Sequence, residues 1–247
     1  MTMTTAPRLL IAGDCALVVE YGSAIDPRVN ARVRLLDRLL GSLHHPGIVE
    51  TVPTYRSLMV HYDPLVVPRE ALARVVMDVA AGLTDGPGAE GRVVEIPVAY
   101  GGDAGPDLAG VAAHNGLAED AVVEIHAAGE YLVYMLGFMP GFPYLGGMSP
   151  RIATPRLPTP RTAVPAGSVG IAGEQTGIYP TESPGGWRLI GRTPVRLFDP
   201  ARMPPALLEA GDRVRFVPLS AHMYDAVARD VAAGSYRPAV IGRGSPP

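Results

Sequence analysis

Two periodicities divide this chain. From Val29 the apolar positions Val33, Leu36, Leu40 and Leu43 follow at spacings of four, three, four and three, which lays one stripe along a helix. Asp26-Pro27 precedes them as an N-cap followed by an N1 proline. A second helical stretch spans about 68–83 and turns Leu72, Val75, Val76 and Val79 inward. Around these helices the pattern shortens. LLIAG and ALVVEYG flank Gly13-Asp14 as a hairpin, and VETVP and SLMVHYD read as the next two strands. Two strands, a helix, two strands and a helix predict a small α+β unit with its helices on one face of an antiparallel sheet. Thr84 to Gly91, TDGPGAEG, is small, polar and turn-rich, and reads as a linker. The expected division is therefore 1–88 and 89–247.

The second region opens with the strand RVVEIPVAYGG, followed by the short helices DLAGVAAHNG and AEDAVVEIHAAG and the strand EYLVYMLGF. The helical period then disappears. Residues 137–194 hold 11 glycines and 10 prolines, interrupted by the strand-like pieces SVGIAG, WRLIGR and PVRLF, with RVRFVPL beyond. Short strands with frequent turns predict a β-barrel or compact sandwich. A last helix starts at Ser220 as N-cap and places Tyr224, Val227 and Val231 on one face. SYRPAVIGRGSPP reads as a loose tail.

Composition narrows the chemistry. At 47% hydrophobic and 18% charged the chain can bury a sizeable core, and a net charge of −3 gives no electrostatic case for nucleic acid. No apolar run is long enough for a membrane span, and the opening MTMTTAPRLLIAGD lacks the apolar stretch of a signal peptide. Cys15 is the single cysteine, which excludes an internal disulfide and suits a cytoplasmic setting. All 21 basic residues are arginine. The absence of lysine excludes a Walker A loop and Schiff-base catalysis.

Three motifs hold the candidate functional residues. GFMPGFPYLGG combines Gly137, Pro140 and Gly141 with Phe138, Phe142 and Tyr144. Such a loop keeps one irregular shape at low entropic cost, either as a buried corner of the fold or as the lining of a pocket. TPRLPTPR follows; Arg151 ahead of it and Arg156 and Arg161 within it each come after a proline, at intervals of five. Guanidinium groups on an extended segment suit carboxylates or phosphates, and they equally suit surface salt bridges. GEQTGIYPTESPGGWRLIGRTP gathers Gln175, Tyr179, Ser183, Gly185, Gly186 and the only tryptophan, Trp187. That many polar groups around an aromatic suggest a binding site. The six histidines show no metal-ligand spacing, and a GxSxG elbow does not occur. Glu124 and His126 point to different faces of their helix. His126 reads as a structural helix-end residue before an acid or base, and Cys15 as a small core residue.

Together GDCALVVEYG, VPTYRSLMVHYD, GFMPGFPYLGG, PRLPTPR, VPAGSVGIAGEQTGIYP, SPGGWRLIGRTP and GDRVRFVP resemble the B-component family of 5-oxoprolinase. That family is also labelled sporulation kinase inhibitor (KipI) and allophanate hydrolase subunit 1. The resemblance implies a cyclophilin-like β-barrel behind a smaller α+β domain. It implies a cytoplasmic protein that works with two other components of 5-oxoprolinase, the homologous barrel component C and the component A, to hydrolyse 5-oxoproline to glutamate with ATP. Arg156, Arg161, Gln175, Tyr179, Ser183, Gly185, Gly186 and Trp187 would then line a site shared with component C, with ATP on this chain or on a partner. The resemblance also leaves open a regulator that binds a sensor histidine kinase, or a carboxyltransferase-type component of urea metabolism.

Overall fold

The computed structural model describes residues 6–83 and 91–242. The predicted linker lies outside these residues except for Gly91, as do the last five residues of the tail. The chain divides into two compact units, Met1–Glu90 and Gly91–Pro247.

In the first unit the strands are β1 (Arg8–Ile11), β2 (Ala16–Glu20), β3 (Ile48–Pro53) and β4 (Ser57–Tyr62). They form an antiparallel sheet in the order β1-β2-β4-β3. Helix α1 (Pro27–Ser42) begins where the sequence placed it: the Asp26 carboxylate accepts from the Arg28 N–H, and Pro27 follows. This cap contributes about 1 kcal/mol. Val33, Leu36 and Leu40 are buried against Leu17, Val19, Leu58 and Val60. Leu43 lies just past the helix end and is exposed, so the stripe stops one position earlier than its spacing suggests. From α2 (Arg69–Ala81), Leu72 and Val76 reach the core, joined by Ala80, while Val75 and Val79 are half-buried.

The second unit is built on a barrel. Its elements are β5 (Val93–Tyr100), α3 (Leu108–Asn115), α4 (Glu119–Ala127), β6 (Glu130–Leu136), β7 (Pro143–Gly146), β8 (Arg161–Val164), β9 (Ser168–Ala172), β10 (Gln175–Ile178), β11 (Ser183–Gly185), β12 (Arg188–Arg192), β13 (Arg213–Leu219), α5 (Ala221–Ala232) and β14 (Val240–Ile241). Seven strands run β12-β9-β10-β7-β6-β13-β5, and β5 pairs back to β12, which closes the sheet. Closure leaves no free edge among them. Inside lie Val94, Ile96, Val98, Val133, Leu145, Val169, Ile171, Ile178, Ile190, Val214 and Phe216. Leu108, Val111 and Ala112 of α3 and Val122 of α4 complete the same core. Helix α3 ends at Gly116 in the left-handed conformation (φ 65°), the Asn-Gly stop read from sequence.

Three expectations need correction. Cys15 is exposed in the turn between β1 and β2 rather than a small core residue. PVRLF is not a strand: only Phe198 bridges, to Ala206. The Leu207 N–H donates to the Leu197 carbonyl at 2.8 Å and the Asp199 N–H to the Pro205 carbonyl at 2.9 Å, so the pairing is confined to the end of this segment. The tail is also ordered in part. Val240 and Ile241 pair with Val94 and Val93, on the stretch of β5 that β12 leaves uncovered.

Candidate functional site

A separate two-stranded ribbon, β8 with β11, lies outside the barrel. Beneath it a second apolar cluster gathers Phe142, Val164, Ala172, Tyr179, Trp187 and Leu189. Residues alternate along β9 and β10, so Ile171 and Ile178 face the barrel interior while Gly170 and Gly177 face this cluster. The glycines make room for the aromatics: a Cβ on Gly177 would lie 3.0 Å from Trp187 and 3.1 Å from Phe142.

The loop Gly137–Phe142 joins β6 to β7 and pins the cluster's far side. Phe142 is buried and meets Tyr144, Tyr179 and Trp187 edge-to-face at 5.3, 5.6 and 5.7 Å. Such pairs add about 0.5–1.5 kcal/mol each beyond area burial. Gly141 (φ 79°) turns the chain beside Phe198. Pro140 and Phe138 form the exposed tip, and Phe138 holds φ 66°, an uncommon conformation for a side chain of that size. The loop is therefore a fixed corner whose aromatics stack outward from Phe142. Of the two readings of this motif, the buried-corner one describes Phe142.

Seven predicted site residues lie under or along the ribbon or on the segment fastened to it. The Tyr179 hydroxyl abuts Gly185, where an added Cβ would lie 2.5 Å from it. The Gly186 carbonyl accepts from the Leu157 N–H at 2.7 Å. Arg161 donates to the Trp187 carbonyl at 3.4 Å. Burial pushes the Tyr179 phenol pKa up, and the Trp187 N–H, Arg156 and Arg161 each draw it back down. Arg156 is exposed and forms no ion pair among the described residues. The Ser183 hydroxyl is buried without a hydrogen-bond partner, at the register of Val164.

Gln175 does not join them. It stands on the same face of β10 as Gly177 but four residues before Tyr179, roughly 13 Å along the strand. Trp187 and Tyr179 are cluster members rather than an open floor, with 8% and 2% exposure.

Sequence reasoning missed Asp107. Its position ahead of α3 resembles a helix cap, yet its carboxylate makes no cap bond. It accepts from Arg161 at 2.8 Å and from the Leu189 N–H at 2.7 Å. Its partner on the ribbon stands 54 residues away, a separation that no local pattern reveals.

His126 belongs to the barrel interior. It is fully buried, stacked on Phe216 at 4.5 Å, and held between the Tyr100 hydroxyl at 2.8 Å and the Thr176 hydroxyl at 2.9 Å. Thr176 donates onward to the Gly170 carbonyl. The Nε2–H therefore points to Thr176, and Nδ1 accepts from Tyr100. Desolvation lowers the His126 pKa to about 3. A neutral, fully paired ring of this kind is structural. Among the described residues no His, Cys, Asp and Glu side chains group as a metal site.

The model of the carboxyltransferase domain, subdomain C and D, matches residues 7–208. The B component of the Bacillus subtilis 5-oxoprolinase is 47% identical over 91% of this chain and 98% of its own length. The solved structure of TTHA0988 superposes with a TM-score of 0.74 at 42% identity, over 83% of this chain. This chain spans only 40% of that longer protein. The Kluyveromyces lactis urea amidolyase shares the fold, with a TM-score of 0.79 at 23% identity over 95% of this chain and 16% of its own. The chain belongs to the carboxyltransferase subdomain C and D family and, within it, to the B components of 5-oxoprolinase.

Proposed function

We propose that this chain is the B component of an ATP-dependent 5-oxoprolinase, which hydrolyses 5-oxo-L-proline to L-glutamate together with a homologous barrel component C and a component A. The observation that carries this reading is 47% identity running through essentially the whole of a protein that bears the name of the 5-oxoprolinase B component. The TTHA0988 and urea amidolyase matches support a multi-part assembly, because in both the matching portion is continuous with a much longer chain. The kinase-inhibitor and urea-metabolism alternatives are not favoured by these relatives' names. The proposed setting is cytoplasmic, where ATP is at hand; among the described residues no helix is long and apolar enough to cross a membrane.

The chemistry gives the division of labour a reason. A lactam carbonyl is resonance-stabilised, and ATP supplies the activation that lets water open the ring. On this chain, the arginine and hydroxyl groups under the ribbon bind and orient an anionic substrate, and its barrel holds them in fixed geometry. The test is reconstitution. Glutamate and inorganic phosphate should form from 5-oxoproline and ATP only when this chain is combined with both partner components. Full turnover by this chain alone, or turnover by the partners without it, contradicts the proposal.

A further inference from the structure

The two ends of the ribbon are tied down unequally. At the Val164–Ser183 end its strands run into the barrel. The Gly167 N–H donates to the Tyr179 carbonyl at 2.7 Å, the Tyr179 N–H to the Ser168 carbonyl at 2.9 Å, and the Thr193 N–H to the Gly167 carbonyl at 2.9 Å. Arg192 holds the Ala166 carbonyl at 3.0 Å, and the Thr181 hydroxyl meets the Met139 sulfur at 3.5 Å. Val164 is wholly buried in the aromatic cluster. At the Arg161–Gly185 end, the bond from the Leu157 N–H to the Gly186 carbonyl at 2.7 Å joins the two legs of the ribbon to each other. Arg188 holds the Pro155 carbonyl at 3.2 Å, which fixes where the first leg leaves the barrel. Beyond that point this end is fastened, among the described residues, by the Arg161 side chain, which reaches Asp107 at 2.8 Å and the Trp187 carbonyl at 3.4 Å. Asp107 belongs to the barrel side of this contact: its carboxylate accepts from the Leu189 N–H at 2.7 Å, and its own N–H donates to the Leu189 carbonyl at 2.9 Å.

With the ribbon down, its polar groups are shut in. The Ser183 hydroxyl is buried with no hydrogen-bond partner. Gly185 lies against Tyr179 so closely that an added Cβ would be 2.5 Å from its hydroxyl, which leaves no room for a ligand between them. An unmet buried hydroxyl favours the exposed position. The burial of Val164 opposes it, but at the far end, where the ladder already holds. A segment with a continuous ladder at one end and side-chain bonds at the other opens locally, before the barrel does. We propose that β8 and β11 form a strap that lifts at its Arg161–Gly185 end, with the Asp107–Arg161 ion pair as latch and the Gly167–Tyr179 bond as hinge. Lifting brings the Ser183 and Tyr179 hydroxyls into contact with solvent or ligand. The inference rests on the ribbon's ties and holds whether or not the chain is a 5-oxoprolinase component.

Cys15 is the single cysteine and is exposed, so a second thiol can be placed under the ribbon in a Cys15→Ser background. In the full chain carrying Cys15→Ser and Ser183→Cys, the introduced thiol is labelled with methyl methanethiosulfonate. It should react roughly a hundredfold more slowly than Cys15 does in the parent, at a rate that barely changes in low urea. Asp107→Asn still accepts from Leu189 but offers Arg161 no charge, and should speed the labelling by roughly tenfold or more. Arg161→Met breaks the latch from the other side and should act in the same direction. Hydrogen exchange of the parent chain reads the opening without any substitution. Amides of 161–164 and 183–185 should exchange roughly tenfold faster than those of β9 and β10, with a weaker urea dependence. Ser183→Ala removes the unmet hydroxyl and should slow the ribbon's exchange by about threefold or more. The proposal is overturned if thiol labelling and ribbon exchange both carry the full urea dependence of global unfolding. It is equally overturned if the introduced thiol reacts as fast as Cys15, or if neither latch variant changes the labelling rate.

Discussion

Asp107 and Arg161 are 54 residues apart and meet at 2.8 Å, tying the loop before α3 to the first residue of the ribbon. The second carboxylate oxygen of Asp107 holds the Leu189 N–H, so one side chain fastens helix, barrel strand and ribbon together. Both partners are largely buried, with 11% and 30% side-chain exposure. Asp107→Ala should cost about 2 kcal/mol in urea denaturation, since it strands a guanidinium and a backbone donor. Adding Arg161→Met should recover about 1 kcal/mol of that, a coupling which an additive pair would not show.

The two adjacent glycines of the ribbon should behave differently. At Gly185 a new methyl group would meet the Tyr179 hydroxyl at 2.5 Å and its ring at 3.0 Å, and the packed ring has nowhere to go. Gly185→Ala should destabilise by about 1–3 kcal/mol. Gly186→Ala meets Pro160 at 3.6 Å, an ordinary contact, and should stay within about 0.5 kcal/mol of the parent. Tyr179→Phe in the Gly185→Ala background removes the nearest atom and should restore part of the loss. Equal midpoints for the two alanine variants would contradict this account of the ribbon.

How far the sequence led depended on whether a feature was local. Helix α1 was legible because its cap, its N1 proline and its stripe all fall within eighteen residues. The glycine and proline density of 137–194 pointed to short strands and turns, and the closed barrel agrees with it. PVRLF failed because a strand needs a partner along its length, and this segment finds one only at its end, where Phe198 meets Ala206. The tail strand β14 was illegible because it depends on a gap beside β5 that only closure of the barrel creates. At the candidate site, the grouping of the residues was not legible. Gln175 and Tyr179 are near neighbours in sequence, and strand geometry separates them. Asp107 is distant in sequence, and the fold brings it in.

Thr176 makes a comparably specific contribution inside the barrel. Its hydroxyl accepts from the His126 Nε2–H at 2.9 Å and donates to the Gly170 carbonyl at 3.0 Å. Thr176→Val keeps the shape but leaves a buried donor and a buried acceptor unmet, so a loss of about 2 kcal/mol is expected. Thr176→Ser keeps both bonds and loses only a methyl group, about 1 kcal/mol. The order Thr, Ser, Val in chemical-denaturation midpoints is the measurement; Val above Ser would mean that the hydroxyl is dispensable.

The same histidine sets an acid limit on stability. In the folded chain its pKa is pushed down by desolvation from 6.5 to about 3, while in the unfolded chain it titrates near the ordinary value of about 6.5. Between these two values unfolding takes up a proton that the native ring refuses. The stabilising contribution of neutral His126 is therefore complete above about pH 6.5 and declines as the pH falls toward 3. The slope approaches about 1.4 kcal/mol per pH unit once the unfolded imidazole is fully charged. His126→Gln offers a non-titrating amide to the Thr176 and Tyr100 hydroxyls. Unfolding free energies measured from pH 7.5 to 4.5 should fall more steeply for the parent than for this variant, by close to one proton at the acid end. Carboxylates titrate in both proteins and cancel in the comparison, so parallel curves would show that His126 is charged, or exposed, in the native fold.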